Sequence, residues 1–156
     1  VVSLRYFNVY GPREKHKGSM ASIVYQLHCQ LKQGNTIKLF EGSGGYESGE
    51  QRRDFIYIDD VIKANIFFMQ NPKISGVFNI GTGRSQTFNE VATAIIKWHG
   101  HGEIKYIPFP PGLKDRYQSY TQSDLSLLRQ AGYVETFFSI EEGVNAYLDK
   151  IETKIE

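Results

Sequence analysis

Regular alternation of strand-like and helix-like segments predicts an α/β fold with mainly parallel strands. Two observations carry that expectation. Apolar runs of strand length at 1–7, 36–40, 53–58, 76–80 and 104–107 are separated by segments whose apolar residues recur at helical spacing. Capping-box pairs stand between them, Thr87 with Glu90 and Ser139 with Glu142, and Thr121 with Asp124 resembles a further helix start.

Taken in order, residues 1–7 read as a buried strand. A Gly11-Pro12 turn and a cationic loop lead from it into a helix faced by Met20, Ile23, Val24, Leu27 and Leu31, with Gly34 as its stop. After the strand at 36–40 comes a loop over 41–53 with four glycines, too polar to bury and long enough for binding or movement. The run at 53–58 precedes a helix that Asp59 can cap, with Val61, Ile62, Ile66 and Met69 as part of its apolar face. Asn71-Pro72 ends that helix, and the strand at 76–80 stops at Gly81-Thr82-Gly83. Val91, Ala94, Ile95 and Trp98 mark the next helix. The strand at 104–107 is broken by Pro108, Pro110, Pro111 and Gly112; a short helix is closed by Gly132, and Val144, Tyr147, Leu148 and Ile151 face the last one.

A length of 156 residues with 40% hydrophobic composition fits one ordinary domain with a sizeable core. A net charge of +1 argues against a dedicated nucleic-acid binder. No apolar run approaches the roughly 20 residues that span a membrane, so no membrane partner is expected. No charged-then-apolar leader pattern is present. Cys29 is the one cysteine; it fits a reducing cytoplasm and, inside an expected helix with no obvious basic partner, a structural thiol. Val1 opens directly on a β-like run that needs sheet neighbours, so the chain is expected to be the C-terminal part of a longer protein. His28, His99 and His101 lack the spacing and further ligands of a metal set, and read as surface or helix-end residues.

Chemistry is expected where the first strand hands over to a helix, the usual ligand edge of an open α/β sheet. There Asn8-Val9-Tyr10-Gly11-Pro12 leads into Arg13, Lys15, His16, Lys17 and Ser19. Taken alone, Gly11 and Pro12 make a turn, Tyr10 packs, Asn8 ends a strand, and Lys17 is a solvated cation or a phosphate contact. Gly42, Gly44 and Gly45 are not a phosphate loop of the Walker type, because no Lys-Ser/Thr follows.

Asn8-Val9-Tyr10-Gly11-Pro12, then Arg53-Asp54-Phe55-Ile56-Tyr57-Ile58-Asp59-Asp60-Val61, then Phe78-Asn79-Ile80-Gly81-Thr82-Gly83 form an ordered set. That set resembles the extended short-chain dehydrogenase/reductase family, whose members epimerise, dehydrate or reduce nucleotide-activated sugars. Within it, the segments Gly11 to Glu14, His16 to Ser22, Leu39 to Ser43, Tyr106 to Pro110, and Arg116 to Gln118 with Thr121-Gln122 are similar to the branch acting on ADP-heptose. The resemblance covers essentially the whole chain.

It implies the C-terminal part of an NAD(P)-binding Rossmann-type fold with the smaller α/β substrate-binding domain. Segments near 1–10 and 54–80 would belong to the cofactor sheet, and segments near 19–53 and 84–133 to the substrate side. The implied reaction is redox epimerisation with NADP: the C6 carbinol gives up a hydride, the carbonyl intermediate turns, and the hydride returns to its other face. The implied partner is ADP-heptose, with a homo-oligomer when full length. Lys17 matches the second acid-base residue and a cofactor contact; a helix start and partial desolvation would both favour its neutral amine. Val9 would meet the cofactor through its backbone. Substrate contacts fall to Asn8, Ser19, Gln26 (where the family has a histidine), Phe40, Glu41, Gly42, Ser43, Arg53 as a diphosphate clamp, and Tyr117 at the sugar end. The family's Gly-x-x-Gly-x-x-Gly turn and Tyr-x-x-x-Lys pair do not occur in this sequence, so an isolated chain of this length is expected to be inactive.

Overall fold

The computed structural model describes residues 1–153. Eight strands are joined in pairs: β1 (Val2–Tyr6) with β6 (Gly76–Ile80), β2 (Asn8–Tyr10) with β5 (Phe55–Tyr57), and β3 (Thr36–Phe40) with β8 (Glu103–Ile107) are parallel. Among the described strands β4 (Arg52–Arg53) with β7 (Gln86–Thr87) is the antiparallel pair. Helices α1 (Ile23–Gln33), α2 (Ile58–Gln70), α3 (Phe88–His99), α4 (Ser126–Gln130) and α5 (Ile140–Thr153) cross between or flank these pairs. The fold is α/β with mainly parallel strands, as the alternation predicts.

The core divides across β5. Phe55 and Tyr57 pack with Tyr10, α1, β3, α3 and α5, while Ile56 packs with Val61, Ala64, Phe68, Phe78, Ile80, Leu128 and Tyr133. Successive strand side chains point to opposite faces, so one three-residue strand serves both clusters. The close approach of α5 to β2 depends on Gly143, where a Cβ would lie 1.9 Å from the Tyr10 hydroxyl.

Both capping boxes are present. Thr87 Oγ accepts from the Glu90 N–H at 3.0 Å while Glu90 accepts from the Thr87 N–H at 2.6 Å. Ser139 and Glu142 exchange the same pair of bonds at 3.2 and 2.8 Å. The other helix starts differ from expectation. Thr121 caps nothing; Asp124 accepts from the Ser126 N–H and hydroxyl, and α4 begins two residues beyond Asp124. Asp59 lies inside the first turn of α2 and pairs with Lys150 at 2.8 Å, while Asp60 is buried and accepts from the Phe138 N–H at 2.8 Å. Ser22 caps α1, which leaves Met20 outside the helix and exposed.

Two expected burials are corrected. The strand at the N-terminus is half-exposed, with Tyr6 in solvent, because among the described residues it has only β6 as a neighbour. On α2 the buried stripe is Val61, Ala64 and Phe68, whereas Ile62, Ile66 and Met69 form a second, exposed apolar face. The 41–53 loop departs from expectation the other way: Ser43, Gln51 and Arg53 are buried, with Gln51 donating to the Glu41 carbonyl and Ser43 Oγ, and Arg53 Nη1 to the Arg52 carbonyl.

His28 is also buried, contrary to its expected surface position. Its Nδ1 lies 3.0 Å from His99 Nε2, and its Nε2 lies 3.3 Å from the Glu152 carboxylate. Burial, aided by His99, outweighs that carboxylate and brings the imidazole down from 6.5 to about 4. The unfolded chain therefore takes up this proton first as the pH falls. Stability from neutral His28 is present above 6.5 and lost as the pH drops towards 4, at a cost of about 3 kcal/mol. Denaturant titrations at several pH values should show that acid sensitivity, and His28→Gln should flatten it; an equal slope in the variant would contradict it.

Candidate functional site

A cleft of about 220 Å³ opens between α1, the end of β3, β8, the start of α3 and the segment carrying Tyr117. Gln26 and Gln30, one turn apart on α1, bring their amides to the same wall. Gln26 Nε2 donates to the Ser19 and Ala21 carbonyls at 3.2 and 2.7 Å, and Gln30 Oε1 accepts from the Lys38 N–H at 2.7 Å. Gln51 Nε2 donates to the Glu41 carbonyl at 2.8 Å and to Ser43 Oγ at 3.3 Å. These backbone partners fix each amide's orientation.

The opposite wall is aromatic. Phe40 stacks on Phe109 at 4.5 Å, and Tyr117 meets Phe40 and Phe109 edge-on at 5.9 and 5.1 Å. Behind the rings lies Arg53, 8% exposed, with its guanidinium 5.2 Å from the Tyr117 ring and 5.8 Å from Phe88. Its Nη1 donates to the Arg52 carbonyl at 2.9 Å, and among the described residues no carboxylate forms an ion pair with it. Burial disfavours the charge and lowers the guanidinium's pKa, with Tyr117 opposing; burial likewise raises that of Tyr117. A buried guanidinium with donors to spare and no counter-ion is set up to receive an anion.

The next residue locks this wall in place. Asp54 is fully buried, and its Oδ1 accepts from the Thr82 N–H and hydroxyl at 2.7 and 2.8 Å. Its Oδ2 accepts from the Gly83 N–H, the Ser123 N–H and the Ser123 hydroxyl at 3.0, 3.0 and 2.5 Å. Gly81 makes this possible, since a Cβ there would lie 2.7 Å from Asp54 Oδ2 and 2.5 Å from Ser123 Oγ. The segment after Tyr117 is then stitched to β4, with the Arg52 N–H donating to Ser119 O and the Thr121 N–H to Arg52 O.

Of the residues singled out in the sequence, Gln26, Phe40 and Tyr117 line the cleft. Arg53 joins them through the rings of Phe88 and Tyr117 that it lies against, and Ser43 and Glu41 through Gln51. Gly42 sits where a Cβ would lie 2.5 Å from the Tyr46 carbonyl. Asn8, Val9, Lys17 and Ser19 do not line the cleft. Asn8 is exposed, with its N–H given to the Asp54 carbonyl, and the Val9 N–H is given to Phe7. Lys17 and Ser19 are exposed in a 3₁₀ turn, Lys15–Met20, kinked at Gly18. Lys17 thus lies within this turn, upstream of the Ser22 cap, and is neither at the start of α1 nor buried.

Sequence reasoning passed over Asp54, Gln30, Gln51, Phe88 and Phe109. Gln30 was within reach, being four residues from Gln26 on one helix face. Asp54 was not, because its partners lie 28 and 69 positions away.

Residues 1–81 match the NAD dependent epimerase/dehydratase family. The chain belongs to that family. A relative, the ADP-L-glycero-D-manno-heptose-6-epimerase of Alkalilimnicola ehrlichii, is 57% identical over 151 residues, which are 97% of this chain and 47% of that protein. Among solved structures, the ADP-L-glycero-D-manno-heptose-6-epimerase of Helicobacter pylori superposes with a TM-score of 0.79 at 35% identity, over 98% of this chain and 45% of that one. The UDP-glucose 4-epimerase of Thermotoga maritima, solved with UDP-glucose, gives 0.78 at 31%, over 99% and 47%. The chain spans about half the length of the epimerases it matches. Their superposition bears out the Rossmann-like character expected of the fold.

Proposed function

We propose that the protein is an ADP-glyceromanno-heptose 6-epimerase, interconverting ADP-D-glycero- and ADP-L-glycero-D-manno-heptose with NADP. It would supply heptose for the lipopolysaccharide core, in the bacterial cytoplasm, as a homo-oligomer when full length. The observation that carries a nucleotide-diphosphate substrate is Arg53, a buried guanidinium without a carboxylate partner among the described residues. The heptose specificity rests on 57% identity to an enzyme of that name.

The family is NAD dependent, and the residues present fit one wall of a nicotinamide site. Parallel pairing of β1 with β6 brings Phe7 and Asn8, and residues 81–83, just past the carboxyl ends of those two strands, the ligand edge of such sheets. Asn8 is exposed at that edge, and Val9 and Lys17 are assigned to face the cofactor. When bound, the nicotinamide supplies hydride exchange with the sugar carbinol. Proton traffic at the C6 oxygen needs an acid-base group on each face of the sugar; Lys17 is assigned one of them. The dinucleotide phosphate turn and the Tyr-x-x-x-Lys pair are assigned to residues beyond this chain. Arg53 holds the diphosphate. Glu41 to Ser43 and the amides of Gln26, Gln30 and Gln51 meet the nucleotide, Asn8 and Ser19 contact substrate polar groups, and Tyr117 closes over the sugar end.

Arg53→Ala in the full-length protein should weaken ADP-heptose binding by about 100-fold, since a desolvated guanidinium–phosphate pair is lost. Calorimetry should show cofactor affinity within about twofold of the original, because Arg53 is assigned to the substrate side. Unchanged ADP-heptose affinity would remove Arg53 as the clamp.

A further inference from the structure

We propose that Glu14 is a positioning residue for the reaction, whose buried carboxylate fixes the turn that carries Lys17; this rests on the acid-base role assigned to Lys17. The turn Lys15–Met20 contains no buried residue and has a left-handed kink at Gly18, φ 54°. Nothing apolar holds it to the body of the protein. Its two ends are held by polar clamps instead. Downstream, the Gln26 amide donates to the Ser19 and Ala21 carbonyls.

Upstream, Glu14 is 4% exposed and accepts from the Ser22 N–H at 2.7 Å, the Ser22 hydroxyl at 2.6 Å and the Tyr147 hydroxyl at 2.8 Å. Ser22 is the cap of α1 and Tyr147 lies on α5, so one carboxylate ties the turn to two helices. Its own carbonyl accepts the Lys17 N–H at 2.9 Å. Among the described residues no cation pairs with Glu14. Such a carboxylate stays buried because three directed donors meet it, and those donors also set its position. An exposed lysine can act as proton donor and acceptor only if its backbone is held while the long side chain reaches. Glu14 supplies that hold from eight residues ahead of the cap.

Glu14→Ala in the full-length enzyme should lower kcat by about 10- to 100-fold with KM for ADP-heptose within about threefold, the split expected of misplacement rather than lost binding. Tyr147→Phe removes one of the three bonds without a cavity and should give a smaller loss in the same direction. Glu14→Gln, which keeps an acceptor for the Ser22 N–H, should recover part of the rate. Combined with Lys17→Met, Glu14→Ala should add little further loss, because it acts through Lys17. Hydrogen exchange at the Lys17 amide should quicken in Glu14→Ala while the amides of α3 keep their protection. Multiplying losses in the double variant, an unchanged kcat, or a raised KM alone would overturn the proposal. Should Lys17→Met itself leave turnover intact, the role of Lys17 is what fails. The claim that Glu14 holds the turn then stands on faster exchange at the Lys17 amide and falls if exchange is unaltered.

Discussion

Lys17→Met in the full-length protein is expected to slow epimerisation by about 10²- to 10⁴-fold, the range for loss of a positioned acid-base group, with NADP still bound. Methionine keeps the length and apolar stem of lysine and removes only the proton-carrying end. Because Lys17 is exposed and its turn buries nothing, the substitution should leave folding unchanged. A rate loss with intact thermal unfolding therefore belongs to chemistry. Absorbance of the bound dinucleotide should match that of the original protein, separating a missing acid-base group from a missing cofactor. Near-original turnover would show that Lys17 only contacts substrate or solvent.

The second large effect is on stability. Asp54→Ala should destabilise the fold by about 3 kcal/mol or more, because buried N–H groups left unmatched each cost about 1–3 kcal/mol. The N–H groups left without an acceptor are those of Thr82 and Ser123, while the Gly83 N–H keeps Ser123 Oγ at 3.0 Å. Asp54→Asn should cost less, since one acceptor oxygen survives. Both variants should also loosen the segment that holds Tyr117 against Arg53, because that segment is stitched to Arg52 beside Asp54. Denaturant midpoints measure the first effect, and calorimetric titration with ADP reports the second. A shift under about 1 kcal/mol would mean that water replaces the carboxylate at little cost.

Local signals were the ones the sequence carried openly. Thr87–Glu90 and Ser139–Glu142 marked helix starts because a capping box is complete within four residues. Gly34 and Asn71 marked helix ends for the same reason. What depended on distant partners was not legible. Asp59 was expected to cap α2; the fold places it inside the first turn, paired with Lys150, and buries its neighbour Asp60 against Phe138. Apolar spacing on α2 marked a face through Val61, Ile62, Ile66 and Met69; the packing with Phe78 and Ile80 of β6 kept Val61 and joined it to Ala64 and Phe68 instead of the other three. His28 followed the same pattern, its burial being decided by α3 and α5 rather than by its neighbours on α1.

The site divides along the same line. Gln26, Phe40, Arg53 and Tyr117 were singled out by resemblance; the fold brings Gln26, Phe40 and Tyr117 to one cleft and sets Arg53 against the Tyr117 ring. Lys17 stands elsewhere, in a turn whose order comes from Glu14 and Gln26, residues whose partners lie on other elements. The expectation that it sits at a helix start failed because Ser22, a stronger cap, begins the helix further on. The cleft is backed by the Arg53 guanidinium, which has no carboxylate partner among the described residues, and Lys17 stands on a separate turn.

The most direct test is turnover by the full-length protein with NADP bound, followed by separation of the two C6 epimers. ADP-D-glycero-D-manno-heptose, UDP-galactose and GDP-mannose would be offered in parallel. Conversion of ADP-heptose to its epimer, with the other two unchanged, is the result predicted here. Epimerisation of UDP-galactose or GDP-mannose with ADP-heptose untouched, or binding of ADP-heptose without any conversion, would contradict it.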